Sequence, residues 1–153
     1  MKNISTKNTK GFSLIELLVV VAIVAILSAV VITSMTSSRQ KARDAKRISD
    51  LAQIQLVLEQ FFDKCRRYPN GITLDSSNSN CSSLKLSTYI SVIPKDPSSG
   101  ATYSYGVDTS TYLNYELGAT LESTNSATAD GLNGSLYGLT CNPTSTSYCV
   151  GPK

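Results

Sequence analysis

One carboxylate in this 153-residue chain stands where carboxylates are costly. Glu16 opens the apolar run LLVVVAIVAILSAVVI, Leu17–Ile32, which only Ser28 interrupts. A charge placed in hydrocarbon needs a partner, so Glu16 either marks a membrane edge or meets a cation that the mature protein supplies. The other reactive set is four cysteines, Cys65, Cys81, Cys141 and Cys149. They show no CxxC spacing, which argues against a metal or thioredoxin-like site. Their even number beside an apolar N-terminal segment points to disulfides made outside the cytosol. Three pairings are allowed. The local one, Cys65–Cys81 with Cys141–Cys149, is favoured because each bond closes a short polar loop. The chain has no His, which removes Ser-His-Asp and Cys-His catalysis and His-containing zinc sites. With no nucleophile motif and no paired carboxylates, the expectation is no catalytic residue, no metal ligand and no enzyme.

The elements that position these groups follow from patterning. Leu17–Ile32 joined to Phe12, Leu14 and Ile15 reaches the lower limit for a spanning helix, about 17 residues. A cleaved secretory signal has a basic start and a shorter apolar stretch, and a plain anchor is a third reading. From Arg39 to Phe62 there is no Gly or Pro. Apolar residues recur at Ile48, Leu51, Ile54, Leu58 and Phe61, one stripe of an amphipathic helix. A continuous helix from Phe12 to Phe62 would extend roughly 75 Å at about 1.5 Å per residue. The chain beyond it is too small to cover such a helix, so the first half needs lipid or other copies of itself. RRYPNG, Arg66–Gly71, ends the helix by Pro and Gly chemistry.

Charge is polarised along the chain. Without Lys2, Lys7 and Lys10 the charged side chains balance, residues 39–67 hold eight Lys/Arg against four Asp/Glu, and residues 68–153 hold three against six. A basic stem and an acidic head fit axial contacts between copies, or two solvated surfaces. The cluster Arg39, Lys41, Arg43, Lys46 and Arg47 would by the positive-inside rule put the C-terminal side in the cytoplasm, against the disulfide argument.

KGFSLIE, Lys10–Glu16, resolves that conflict, because it resembles the class III signal of type IV pilins and type II secretion pseudopilins. The shared features are a basic leader ending in Gly11, then Phe12, then an acid at the fifth mature residue, Glu16, then an apolar helix. The resemblance implies cleavage between Gly11 and Phe12 by a prepilin peptidase, N-methylation of Phe12, an inner-membrane orientation with the N-terminus in the cytoplasm, and an extracytoplasmic head. It also implies polymerisation with other pilin or pseudopilin subunits on an inner-membrane assembly platform. The new α-amine, with a reference pKa of about 7.7–8.0, would meet Glu16 of a neighbouring subunit, and the pairing would set axial register. An acid in the first turn also suits the helix dipole, worth about 0.3–1 kcal/mol. The family commonly carries Pro where this chain has Thr33.

The implied fold is α+β and type IV pilin-like. Its parts are a leader at 1–11, an apolar transmembrane or filament-core helix at 12–33, an amphipathic continuation at 34–65, and a head at 66–153. The head has disulfide-tied loops and a small antiparallel sheet. Within it, Thr102–Val107 and Tyr112–Leu117, joined by DTST, predict a hairpin at about 102–117, with a third strand near Leu136–Thr140 and a short helix around Leu84–Tyr89. RYP (Arg67–Pro69), PKDP (Pro94–Pro97) and the Tyr-rich strand resemble the head of the type II secretion major pseudopilin. Heads of that group often bind calcium. Asp108 and Asp130 are the nearest candidates, and without a ligand-spaced acidic cluster they read as turn residues, so no cofactor is expected. The leading function is a structural subunit of a type II secretion pseudopilus or type IV pilus. The alternative is a competence-type pilin binding DNA phosphates through Arg39–Arg47, Arg66 and Arg67.

Overall fold

A computed structural model describes residues 11–123, 131–132, 134–142 and 146–152, without the side chains of residues 30–34. Most of the leader, Asp130 and the side chain of Thr33 therefore lie outside the described residues. The architecture is α+β, with a long N-terminal helix, small antiparallel sheets and two disulfides, consistent with a type IV pilin-like fold. The chain divides into two compact units, Met1–Ser38 and Arg39–Lys153.

Helix α1 spans Leu14–Cys65. In the first unit every described side chain is exposed, the large apolar ones from Leu14 at 88% to Met35 at 48%. Among the described residues no helix is long and apolar enough to cross a membrane. The described apolar stretch, Leu14 to Ala29, falls short of the about 20 residues a span takes.

In the second unit the helix behaves as the stripe predicts. Leu51, Ile54, Leu58 and Phe61 are at most 1% exposed, while Ile48 is half-buried. Arg66, in the left-handed region at φ 56°, ends the helix, and Pro69 follows. The ring of Tyr68 then stacks on Phe62 with centroids 4.6 Å apart and meets Tyr115 edge-on at 4.5 Å. The Tyr68 and Tyr115 hydroxyls both donate to the Glu59 carboxylate, so these buried phenols have partners.

The sheet has strands β1 (Ser104–Val107), β2 (Tyr115–Thr120) and β5 (Ser147–Val150) in the order β1-β2-β5, all antiparallel. Strands β3 (Gly134–Leu136) and β4 (Leu139–Cys141) form a separate hairpin. Along β2, Tyr115, Leu117 and Ala119 belong to the core with the helix stripe, and the pleat turns Glu116 and Gly118 to the opposite face. The hairpin covers that face. A Cβ added at Gly106 would collide with the Tyr137 carbonyl.

The hairpin expected at 102–117 exists, but its loop is Asp108–Asn114 rather than four residues, and β2 is displaced toward the C-terminus. The Asp108 carboxylate accepts from the Ser110 amide at 2.9 Å and from the Thr111 hydroxyl, and the Tyr112 amide bonds back to the Asp108 carbonyl. With Tyr112 at φ 58°, this side-chain-held turn absorbs residues that alternation alone assigns to a strand. Leu113 therefore falls in the loop and is half exposed. The single strand expected near Leu136–Thr140 is split by a tight turn at Tyr137–Gly138 into the end of β3 and the start of β4. Tyr137 and Gly138 there both have positive φ, 49° and 87°, as a two-residue hairpin loop requires. The helix expected around Leu84–Tyr89 is a 3-10 turn at Leu86–Thr88, and a second lies at Ser79–Cys81.

Candidate functional site

Two groups of side chains bear on function, one in each unit. At the N-terminus, Gly11 and Phe12 precede the helix and are exposed. Glu16 is exposed and turned back on its own chain, where its Oε2 accepts from the Ser13 amide at 2.9 Å. The Ser13 hydroxyl in turn accepts from the Ile15 amide at 3.4 Å. Ser13 and Glu16 thus form a capping box, in which a Ser at the cap and an acid three residues on satisfy otherwise orphaned helix amides. The S-x-x-E spacing in SLIE is the signal for this arrangement. Reading Glu16 only through its charge passes over Ser13. The box holds the acid in the first turn, beside the junction at Gly11 and Phe12.

In the second unit the basic stem meets the acidic head within one chain. Arg47, 3% exposed, donates Nε–H to Asp96 Oδ2 at 2.6 Å, Nη1–H to Asp44 at 2.7 Å and to Glu122 at 3.0 Å, and Nη2–H to Ser98 Oγ at 2.9 Å. Arg43 forks onto both oxygens of Glu122. Asp44, 1% exposed, accepts from the Glu122 and Ser123 amides and the Ser123 hydroxyl at 2.8–3.1 Å. Lys46 pairs with Asp50, which also accepts the Tyr103 hydroxyl at 2.8 Å.

The electrostatics follow from these contacts. The Arg43 hydrogen bond, helped by Arg47 and Ser98, holds the Glu122 carboxyl down to about 2. The Arg47 hydrogen bond holds Asp96 well below the usual carboxylate range. Burial opposes charge on Asp44, but hydrogen bonds from Glu122, Ser123 and Arg47 outweigh it and its carboxyl is lowered. Helix positions 43–50 are in this way pinned to the loops at 96–98 and 122–123.

Of the basic residues read from sequence as a surface for contacts between copies, Arg43 and Arg47 are therefore satisfied by head acids of their own chain. For Arg43 or Arg47 to contact DNA, a phosphate would have to displace Glu122 or Asp96. Pairs whose partners stand up to 79 positions apart in the chain carry no local sequence signal. Asp96 of the PKDP segment also accepts from the Ser98 and Ser99 amides, which fixes the turn that presents it to Arg47.

The four cysteines pair as Cys65–Cys81 and Cys141–Cys149, with Cα atoms 5.7 and 5.8 Å apart. The first ties the helix end to the loop after it. The second ties β4 to β5 and so fastens the hairpin over the sheet. Asp108, proposed as a calcium candidate, has its carboxylate oxygens engaged in its own turn.

No curated protein and no solved structure matches this chain. Residues 6–32 match the family model described as the prokaryotic N-terminal methylation motif, so the chain carries a type IV pilin-like class III signal spanning Gly11, Phe12 and Glu16.

Proposed function

We propose that this protein is a structural, non-catalytic subunit of a type IV pilus or type II secretion pseudopilus. It is cleaved between Gly11 and Phe12 by a prepilin peptidase and N-methylated at Phe12. It is held in the inner membrane with its N-terminus in the cytoplasm, and it polymerises through α1. The observation that carries this reading is the coincidence of the methylation motif with an apolar helical surface whose described side chains are all exposed. In sequence the apolar run continues to Ile32, so with Phe12, Leu14 and Ile15 it supplies the length a single span takes. Before assembly lipid covers this surface, and afterwards sister helices do.

Cleavage gives Phe12 an ammonium that, among packed apolar helices, needs an anion. Glu16 of a neighbour supplies it, setting register rather than adding net stability. The head is of the major-pseudopilin kind, with the Arg47 cluster and the disulfides in the role of rigid supports.

Mass spectrometry of the protein from peptidase-competent cells should find a chain that begins at Phe12 and carries one added methyl. A chain still beginning at Met1 would refute the processing. Filaments sheared from cells carrying Glu16→Ala should be strongly reduced, and an undiminished yield would remove the pairing argument.

A further inference from the structure

One buried acid has no part in any of this. Glu116, on the outer face of β2, is 1% exposed, and among the described residues neither carboxylate oxygen has a hydrogen bond of full geometry, the Leu136 backbone amide of the covering hairpin being the one donor that acts on it. Every other deeply buried acid here is held by donors, as Asp44 and Asp50 show, because a bare buried carboxylate is costly. Glu116 faces sulfur instead. One of its oxygens and the Sγ atoms of Cys141 and Cys149 all lie within 4.8 Å of one another, and both cysteines are 2% exposed. The register explains the convergence. Glu116 and Gly118 lie on the same face of β2, Cys149 is opposite Gly118, and Cys141 arrives from the covering hairpin.

We propose that Glu116, Cys141 and Cys149 form a binding site for a thiophilic divalent cation of the zinc class when the Cys141–Cys149 bond is open. Two thiolates and a carboxylate are ligands zinc accepts, at about 2.3 Å for sulfur and about 2.0–2.2 Å for oxygen, with a fourth tetrahedral position left over. In the disulfide form the sulfurs are bonded to each other and the site is closed, so oxidation and metal binding exclude one another. The chemistry balances with a thiol or phosphine reductant. Two electrons from the reductant cleave the S–S bond and two protons give a dithiol. The cation then displaces both thiol protons to solvent and takes the carboxylate as its third ligand. The site belongs to the newly made, still reduced chain, where the metal would hold the hairpin on the sheet until the disulfide replaces it. This inference is independent of filament assembly.

The test uses the full chain in detergent, reduced with a phosphine and titrated with Co²⁺. The expected result is one cobalt per chain with a sulfur-to-cobalt charge-transfer band. That band should be absent from the oxidised protein, displaced by Zn²⁺ and lost in Cys149→Ser. A band that survives Cys149→Ser comes from other sulfurs and overturns the proposal, as does no band at all. Glu116→Gln should weaken binding by about tenfold or more, since losing even an outer partner costs a metal site that much. Unchanged affinity would reduce the site to a bare dithiol and refute the role of Glu116. Should Glu116→Gln fail to fold, Glu116→Asp serves, with weakened binding in support and wild-type binding against. If reduction itself unfolds the chain, far-ultraviolet circular dichroism should recover on adding cobalt, and no recovery counts against the site.

Discussion

Helix α1 carries two surfaces with opposite fates. From Phe12 to Ala29 the apolar residues surround the helix, and every described side chain is exposed. From Leu51 to Phe61 they keep to one stripe, and that stripe is buried beneath the chain's own sheet. What separates the two is periodicity more than hydrophobicity. A stripe can be satisfied by one covering layer, which a head of this size supplies. An all-round apolar surface needs partners on every side, which only lipid or like helices offer. The first segment is built for an external environment, the second for an internal one.

The largest effect that would break this contrast is a core truncation. Phe61→Ala should cost about 3–5 kcal/mol, read as a lowered denaturation midpoint of the head. Val20→Ala in the first segment should move that midpoint by no more than about 0.5 kcal/mol, the scale of surface substitutions away from special features. Equal losses at the two positions would mean that the first segment is packed against its own chain after all.

Next comes the Arg47 cluster, which pins the second segment but has no counterpart among the described residues of the first. Arg47→Ala leaves Asp44 buried with one fewer donor and Asp96 without its guanidinium, and removing one partner of a buried pair costs about 3–5 kcal/mol. Arg47→Met, which restores the bulk without the charge, should lose nearly as much, because the orphaned acids remain. A much milder Arg47→Met would show that packing of the side-chain stem matters more than the charge.

Acid should weaken the same cluster by a smaller amount. Glu122 is held near 2 in the folded chain, from an ordinary 4.5, and Asp96 is lowered further. Groups depressed on folding contribute stability that is complete above their unfolded values and is lost as the pH falls through the folded ones. Stability should therefore hold from neutral pH to about 4.5 and decline from there toward 2. Glu122→Gln should flatten part of that slope, measured by denaturant titration across the range. An unaltered slope would place the acid sensitivity elsewhere.

How much of this was legible beforehand follows the range of the forces. The stripe from Leu51 to Phe61, the helix end at Arg66–Pro69 and the two local disulfides are encoded within a few residues or a short loop, and each was readable. So was the processing signal, because its spacing is short and fixed. The displaced β2 was not. The competing signal was Asp108, whose carboxylate builds a turn out of residues that alternate like a strand, and turn chemistry won over period. Strand β5 follows a polar, Ser- and Thr-rich stretch, and Tyr148, Cys149 and Val150 make too short an apolar run to mark a strand. The salt-bridge cluster joins positions 43–50 to 96 and 122, and nothing local in either segment names the other. In sequence Glu116 is one polar residue between apolar neighbours in a strand. Only the hairpin folding over it makes it a buried acid beside sulfur.

The smallest effect bears on the most specific residue. Glu16 has one role visible within a single chain, closing the capping box with Ser13, and one proposed between chains, pairing with a neighbour's Phe12 ammonium. Ser13→Ala removes the cap hydroxyl and leaves the acid. It should cost the first helical turn about 0.5–1 kcal/mol, seen as faster amide exchange at Ile15 and Glu16, while filament yield stays close to wild type. Glu16→Ala should produce similar fraying and, in addition, the loss of filaments. If Ser13→Ala abolishes filaments as thoroughly as Glu16→Ala, the acid acts by ordering the helix start, and intermolecular charge pairing is not what sets the register.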